Sequence, residues 1–454
     1  MNPPSSKQRA PGIPRRQFLK TGGVLAASTL AFPACVKLDT RTHDADRLNV
    51  AVIGCGGRGR FHLRQMRSER VVAVCDVDFD RAGGNLRAFS DVPRFADYRV
   101  MFDKMGKDID AVVVCTPDHM HYPIALWALA HRKHVLVEKP LTRTFEEAML
   151  LKEAAREAGV ITQMGNQGRA ADGLRVLQEW VEAGLIGEVT HAYHWTNRPV
   201  WPQGMTDFQP VQPVPEQLDW DLWQGVAPRR SYHPEIAPFK WRGYIDYGCG
   251  AVGDVGCHIM DAAYVPLKLG YPTRLRADSD GLTDIAFPNA STIEMEFPVP
   301  NRSTPLKVTW MDGGRLPTDV PFMPAGVPHD SGTILVGEQG AISCDMYNGS
   351  PRIYPDAYRE QLQADGAFPE RTLPRIRGGH VNEWLNGIRN GVQPGSSIVD
   401  FSADFTAMTL LGVSAMLADT PLKFNPETLK FEGNEAANAF LKSQYEYKSE
   451  FLPG

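Results

Sequence analysis

The chain has little with which to build a disulfide framework. Its 454 residues hold seven cysteines, an odd number, and no CxxC pair. That spacing excludes the stapled small-domain class and a structural zinc site. Cys55, Cys75 and Cys115 fall in or beside apolar strand-like runs, where a thiol acts as a small buried hydrophobe. No long basic run follows the first twenty residues, and 53 acidic against 48 basic side chains leave a net charge of −5. A nucleic-acid partner, which needs clustered Lys and Arg, is excluded on that ground. No stretch beyond the N-terminal segment reads as the roughly 18 consecutive apolar residues of a membrane span. Internal repeats and low-complexity tracts are absent too. What remains is a globular composition, 43% hydrophobic and 22% charged, long enough for two ordinary domains.

The first segment stands apart. PRRQFLK (14–20) precedes a weakly apolar run from Thr21 to Phe32, the pattern of a twin-arginine export signal over 1–35. Residues 36–46 (VKLDTRTHDAD) read as a polar tether. The stretch Phe32-Pro33-Ala34-Cys35 leaves three outcomes open: a lipid anchor on Cys35, plain cleavage, or an uncleaved leader. The expected location is the periplasm or cell envelope, reached by a chain already folded.

Residues 47–168 read as a doubly wound α/β domain. Leu48–Ile53 is a buried strand, followed by Gly54-Cys55-Gly56-Gly57-Arg58-Gly59, a GxGxxG turn. Glycine is needed there for a tight turn, for close approach of backbone to a pyrophosphate, and for helix–strand packing. The helix opening near Gly59 directs its amides at the phosphates. A second strand, Val71–Cys75, ends in Asp76, whose carboxylate suits a ribose and repels a 2′-phosphate, so NAD is favoured over NADP. Strands at Ala111–Cys115 and His134–Val137, with helical periodicity over 121–131 between them, complete a β-α-β-α-β alternation. Lys139, just past the last strand, points into the ligand crevice at the carboxyl ends of the sheet. His119 and His121 form an H-x-H pair with no clustered third ligand, so no metal site is expected.

In the second half, Asp254, His258 and Asp261 follow spacings of four and three, which place them on one face of a helix. A neutral histidine, with an unperturbed pKa of about 6.5, can take a hydroxyl proton near neutral pH. A carboxylate one turn away can orient the imidazole; Asp261 reads as a cap or brace. Residues 195–247 concentrate five of the nine tryptophans, Trp195, Trp201, Trp220, Trp223 and Trp241. Some pack a core and others offer flat faces to a sugar ring; Trp241, Arg242 and Lys240 are the substrate contacts expected there. Strand-like segments return in TILVGEQGAISCD, a polar Pro-rich excursion fills 349–378, and helices are expected at 380–390 and 402–418.

These stretches together resemble the glucose–fructose oxidoreductase, inositol dehydrogenase and rhizopine-catabolism family (Gfo/Idh/MocA). The matching segments are VIGCGGRGRFH (52–62), CTPDHMHYPIA (115–125), EKPLT (138–142), GNQGR (165–169) and GCGAVGDVGCHIMD (248–261). The resemblance implies a Rossmann domain followed, over 169–454, by an α+β domain with an open, mainly antiparallel sheet and C-terminal helices. It implies Lys139, Asp254 and His258 as catalytic and substrate-contacting groups, and a cis bond before Pro140. Gly54, Gly56, Gly57, Arg58, Gly59, Asp76, Thr116, Pro117, His121, Glu138 and Lys139 are the residues expected to hold the cofactor, NAD. It also implies a homo-oligomer paired through the open sheet.

Three functions follow as expectations. The first is an exported NAD-dependent oxidoreductase acting on a secondary hydroxyl of a sugar or glycoside. Free nicotinamide cofactor is scarce outside the cytoplasm, so the cofactor would be tightly bound and regenerated in place. The alternative is a redox-neutral glycoside hydrolase or lyase working through a 3-keto intermediate, although relatives of that kind lack the EKP stretch kept here. A non-catalytic sugar-binding protein is the third, opposed by the intact set of site residues.

Overall fold

The computed structural model describes residues 46–300 and 302–453; the leader, Cys35 and the tether up to residue 45 lie outside them. Short runs of β-branched and small apolar residues build the first sheet. Its strands are β1 (Asn49–Ile53), β2 (Arg70–Cys75), β3 (Arg94–Phe95), β4 (Ala111–Val114), β5 (His134–Val137) and β6 (Thr162–Met164). They lie in the order β3-β2-β1-β4-β5-β6, all parallel. Every residue of β4 is buried, because helices cover both faces of such a sheet. The order reverses between β1 and β4, and the crevice at that switch point is where this architecture binds ligands.

The second sheet comprises β7 (His191–Trp195), β8 (Arg274–Asp280), β9 (Ala290–Phe297), β10 (Leu306–Met311), β11 (Gly332–Val336), β12 (Ala341–Asp345), β13 (Arg352–Tyr354), β14 (Leu422–Asn425) and β15 (Lys430–Phe431). Its order is β13-β12-β11-β7-β10-β9-β8-β14-β15, with β7 and β10 parallel and every other pair antiparallel. This is the expected mainly antiparallel sheet. In β8, Leu275 is buried while Arg274, Arg276, Asp278 and Asp280 are exposed, the alternation of a strand with one face toward solvent.

Helices join the two sheets. Phe145–Ala158 opens with a capping box, Thr144 with Glu147, and closes on Gly159 at φ +64°, both standard end devices. It packs on Ala403–Ala418, which in turn packs on Gly250–Ile259, the helix carrying Asp254 and His258. The helix Ile398–Ala418 is the most apolar segment among the described residues. By length and composition it could cross a membrane, but most of it is buried inside the protein. Helices can be apolar all round when a core surrounds them.

Two late segments depart from the sequence reading. The 349–378 excursion contains β13 and a helix, Asp356–Ala364. The helix Gly379–Asn390, grouped by sequence with the second half, packs against the first sheet. Its Val381, Trp384 and Leu385 share a buried cluster with Val50, Val52 and Leu136. Trp384 is fully buried there. We expect Trp384→Ala to lower unfolding stability by about 3–5 kcal/mol, measured by denaturant titration, if this helix is an integral part of the first core.

Candidate active site

The glycine turn after β1 shows why each glycine is needed. Gly54 sits at φ +83°, and a Cβ on it would stand 2.6 Å from the Cys115 carbonyl oxygen. A Cβ on Gly59 would stand 1.8 Å from the Gly54 oxygen. Gly57, at φ +44°, has open space before it. The loop is thus pressed against β4 on one side and left clear on the other, a shape that accepts a diphosphate.

Asp76 follows β2 as expected, but its carboxylate is turned into this loop. One oxygen accepts from the amides of Cys55 and Gly56, and the other from the Asp78 amide. Burial raises its carboxyl, and those amides oppose the shift. The residue therefore braces the glycine turn as well as lining the cleft.

Glu138 anchors the turn from the other side. It accepts from Arg58 Nε at 2.8 Å and from His62 Nε2 at 2.7 Å. Burial alone would raise its carboxyl, yet His62 and the Arg58 guanidinium outweigh that and hold it well below the usual range. His62 was visible in the sequence, as the last residue of VIGCGGRGRFH, but nothing local assigned it a partner 76 positions away. Thr116 and Pro117 line the cleft beside Gly54. Among the described residues the buried Thr116 hydroxyl has no partner, which leaves it available to a ligand. His121 also lines the cleft, with Nδ1 2.7 Å from the Pro140 oxygen and Nε2 2.9 Å from the Thr116 oxygen. Its ring ties together the segments following β4 and β5, so it braces the cofactor wall. The Lys139–Pro140 bond is cis.

The chemical groups converge across the junction of the two sheets. Lys139 Nζ donates to the Asp254 carboxylate at 2.8 Å and to its backbone oxygen at 2.7 Å. Arg242 Nε lies 2.9 Å from the same carboxylate and Arg198 Nε 3.8 Å from its other oxygen. Burial would raise the Asp254 carboxyl, but Lys139 and Arg242 dominate and hold it well below the usual range. The expected Asp254–His258 pair is not formed. Among the described residues no hydrogen bond joins them, and His258 Nδ1 is buried without a partner. Helical spacing brought both to the cleft, but three cations had prior claim on the carboxylate. His258 packs instead against Tyr347, ring centroids 5.1 Å apart. Burial, reinforced by Lys139, pushes its imidazole down to about 3, so it is neutral at pH 7.

Trp241 and Trp201 line the cleft around Arg242, whose guanidinium sits 4.2 and 5.9 Å from their ring centres. Arg198, missed by sequence reasoning, had one signal: an arginine inside WTNRPVWP. Three candidates lie elsewhere. Lys240 pairs with Glu235 at 2.6 Å, His119 is buried with Nε2 3.0 Å from the Trp223 oxygen, and Asp261 stands 3.5 Å from Arg169. None of them borders the cleft. Among the described residues no group of three His, Cys, Asp or Glu could hold a metal. The cleft, about 790 Å³, runs continuously from the glycine turn to Trp201 and Arg242.

Residues 48–166 match an oxidoreductase family with NAD-binding Rossmann fold, and residues 176–293 match that family's C-terminal alpha/beta domain. An inositol 2-dehydrogenase of Rubrobacter xylanophilus is 31% identical over 40% of this chain and 53% of its own. A glycosyl hydrolase family 109 protein of a Shewanella species is 32% identical over 40% of this chain and 45% of its own. The chain thus spans about half the length of the curated relatives it matches. A solved levoglucosan dehydrogenase, in complex with NADH and L-sorbose, shares the fold with a TM-score of 0.53 at 17% identity, covering 83% of this chain and 98% of its own.

Buried ionisable groups set a pH dependence. Burial holds His119, His194 and His258 down to about 3 and His380 to about 4. Unfolded, each would take a proton near pH 6.5, so acidification below 6.5 favours the unfolded chain. Asp261 and Asp312 are pushed up to about 6 by burial and act oppositely, binding protons in the folded state between pH 6 and 4. His191, also held down to about 4, joins the histidines, and the raised Asp76, Asp118 and Glu147 join the two aspartates. Glu138, Asp254 and Glu179, held low by their partners, add stability that is lost on acidification, so lowering the pH is net destabilising. The melting temperature is expected to fall from pH 7 to pH 4.5 in a calorimetric series, and His194→Gln should flatten that fall.

Proposed function

The chain belongs to the Gfo/Idh/MocA oxidoreductase family, and from that premise we propose that it oxidises a secondary hydroxyl of a sugar or glycoside with NAD. The observation that carries this reading is the meeting of Lys139, Asp254, Arg242 and His258 in one cleft with the glycine turn. The turn fits the cofactor: Gly54 and Gly59 leave no room for side chains, Gly57 faces open space, and among the described residues the Thr116 hydroxyl has no partner. NAD, when bound, supplies the acceptor for the substrate's hydride.

The protein's own groups handle the proton and the substrate. Neutral His258 offers a ring nitrogen to the hydroxyl proton. The Lys139 ammonium, fixed by Asp254, stabilises negative charge developing on that oxygen. Asp254 is therefore a positioning residue for Lys139 and Arg242 rather than the orienter of His258. Trp201 and Trp241 provide flat faces for the C–H surface of a sugar ring. Lys139→Met and His258→Asn are expected to lower kcat by about 10²–10⁴-fold while NAD binding persists.

A second reading is favoured by the likeness to the family 109 glycosyl hydrolase. Oxidation at C3 would acidify the C2 proton, the aglycone would leave, water would add, and re-reduction would return the cofactor. The retained Glu138-Lys139-Pro140 stretch supports the dehydrogenase reading over it. The paired Arg15 and Arg16 support export by the twin-arginine route, with action in the periplasm or cell envelope. The exposed positions of β8 and β9, Arg274, Arg276, Asp278 and Glu294, support pairing with a second copy.

A single-turnover experiment separates the readings. Protein loaded with one equivalent of NAD is mixed with free sugars and aryl glycosides while reduced nicotinamide and released aglycone are followed together. Stable reduced cofactor without aglycone release is the expected result. Continuing aglycone release without lasting reduction would establish the redox-neutral cycle instead. Silence from every sugar and glycoside, with NAD bound, would favour a binding protein. In a fractionation assay, replacing Arg15 and Arg16 with lysine should leave the protein in the cytoplasm.

A further inference from the structure

The chemical end of the cleft is charged at its floor and apolar at its mouth. Among the described residues ten large hydrophobic side chains are exposed, and three of them, Val200, Phe239 and Tyr347, border this one cleft. Val200 is 61% exposed, Phe239 50% and Tyr347 44%. Isolated surface hydrophobes are ordinary, but a group of them around a ligand cleft marks a surface kept for something apolar.

Each of the three is tied to a group of the site. Val200 stands two residues after Arg198, which reaches the Asp254 carboxylate. Phe239 precedes the short turn Lys240–Gly243, which carries Arg242, a partner of the same carboxylate. The two segments lie side by side, since a Cβ on Gly243 would stand 2.0 Å from the Pro202 oxygen. Tyr347 packs its ring on His258. Its turn is pinned there by Asn348, whose side-chain amide donates to the His258 carbonyl at 3.0 Å.

The polar side chains of the segments around Val200 and Phe239 already have partners. Glu235 holds Lys240, and Asp254 holds Arg198 and Arg242. Gln203 accepts from Trp201 Nε1 at 3.0 Å and donates to the Pro288 oxygen. A phosphate or a second sugar placed on these segments would lose water without gaining matching partners. An apolar group gains from the same loss of water.

We infer that this mouth is an aglycone subsite, and that the substrate is a glycoside carrying an apolar aglycone. The inference rests on the sugar reading above and narrows it. The sugar ring meets the charged floor, and the substituent leaving the site meets Val200, Phe239 and Tyr347.

The test is calorimetric titration of the full chain loaded with NADH, which leaves no acceptor for a hydride. The probes are glucose, galactose, mannose and N-acetylglucosamine, their methyl and phenyl glycosides, and the disaccharides cellobiose and lactose. A phenyl glycoside is expected to bind about tenfold more tightly than its methyl counterpart, and the disaccharides no more tightly than the methyl glycosides. Val200→Ser and Phe239→Ser should each reduce the phenyl preference to about threefold or less, with methyl glycosides within about twofold of wild type. Phe239→Leu should keep the preference. Equal binding of phenyl and methyl glycosides by the unaltered protein overturns the inference alone, and that comparison decides even where a variant fails to fold. A preference unchanged in both serine variants overturns it too. A homodimer that comes apart in Phe239→Ser, with glycoside affinities unchanged, assigns the patch to a second copy and overturns it likewise. Loaded protein that binds no member of the panel overturns the sugar reading, and the inference with it.

Discussion

The ion pair of Lys139 with Asp254 is the interaction on which the site depends. Lys139 follows β5 of the first sheet, and Asp254 lies on the helix Gly250–Ile259 of the second half, 115 positions later. Two charges inside a cleft are costly to desolvate, and that cost is offset only when further partners satisfy them. Here Arg242 and Arg198 join the carboxylate, and the Asp254 carbonyl adds a second bond to the ammonium. The result is a rigid cationic patch around one anion, suited to an oxygen that gains negative charge.

A second buried carboxylate performs the matching task for the cofactor turn. Glu138 is adjacent to Lys139, and its bonds to Arg58 and His62 tie the glycine loop to the end of β5. Consecutive residues of one strand end therefore face opposite ways, one to the loop and one to the helix of the second half. His121 joins the strand ends of β4 and β5 through two backbone oxygens. Around the rim, Asp219 donates its amide to the Val77 oxygen at 3.0 Å, so the tryptophan-rich segment reaches back over the first sheet. These links make the cleft a product of both halves.

Much of this was legible in order along the chain. The parallel strands were apparent because burial on both faces leaves short β-branched runs, and the glycine turn because glycine readily adopts φ +83° beside the Cys115 carbonyl. Less legible were the partners. The placement of Asp254 and His258 at helical spacing was right, but spacing says which residues share a face and nothing of which charge arrives opposite. The Pro-rich 349–378 stretch concealed a strand and a helix, because its turn residues masked the short periodic run at 356–364.

What the sequence by itself determined is local: strand and helix periods, the turn that demands glycine, and which reactive side chains sit at element ends. Only the tertiary structure decided that Asp254 serves Lys139 and not His258, that Arg198 joins them, and that Trp384 and Phe451 return to the first sheet. The physical reason is that hydrophobic burial is non-directional and encoded residue by residue. Ion pairs and hydrogen bonds require two atoms within about 3 Å of one another, and that condition is set by the closure of chain segments hundreds of residues apart.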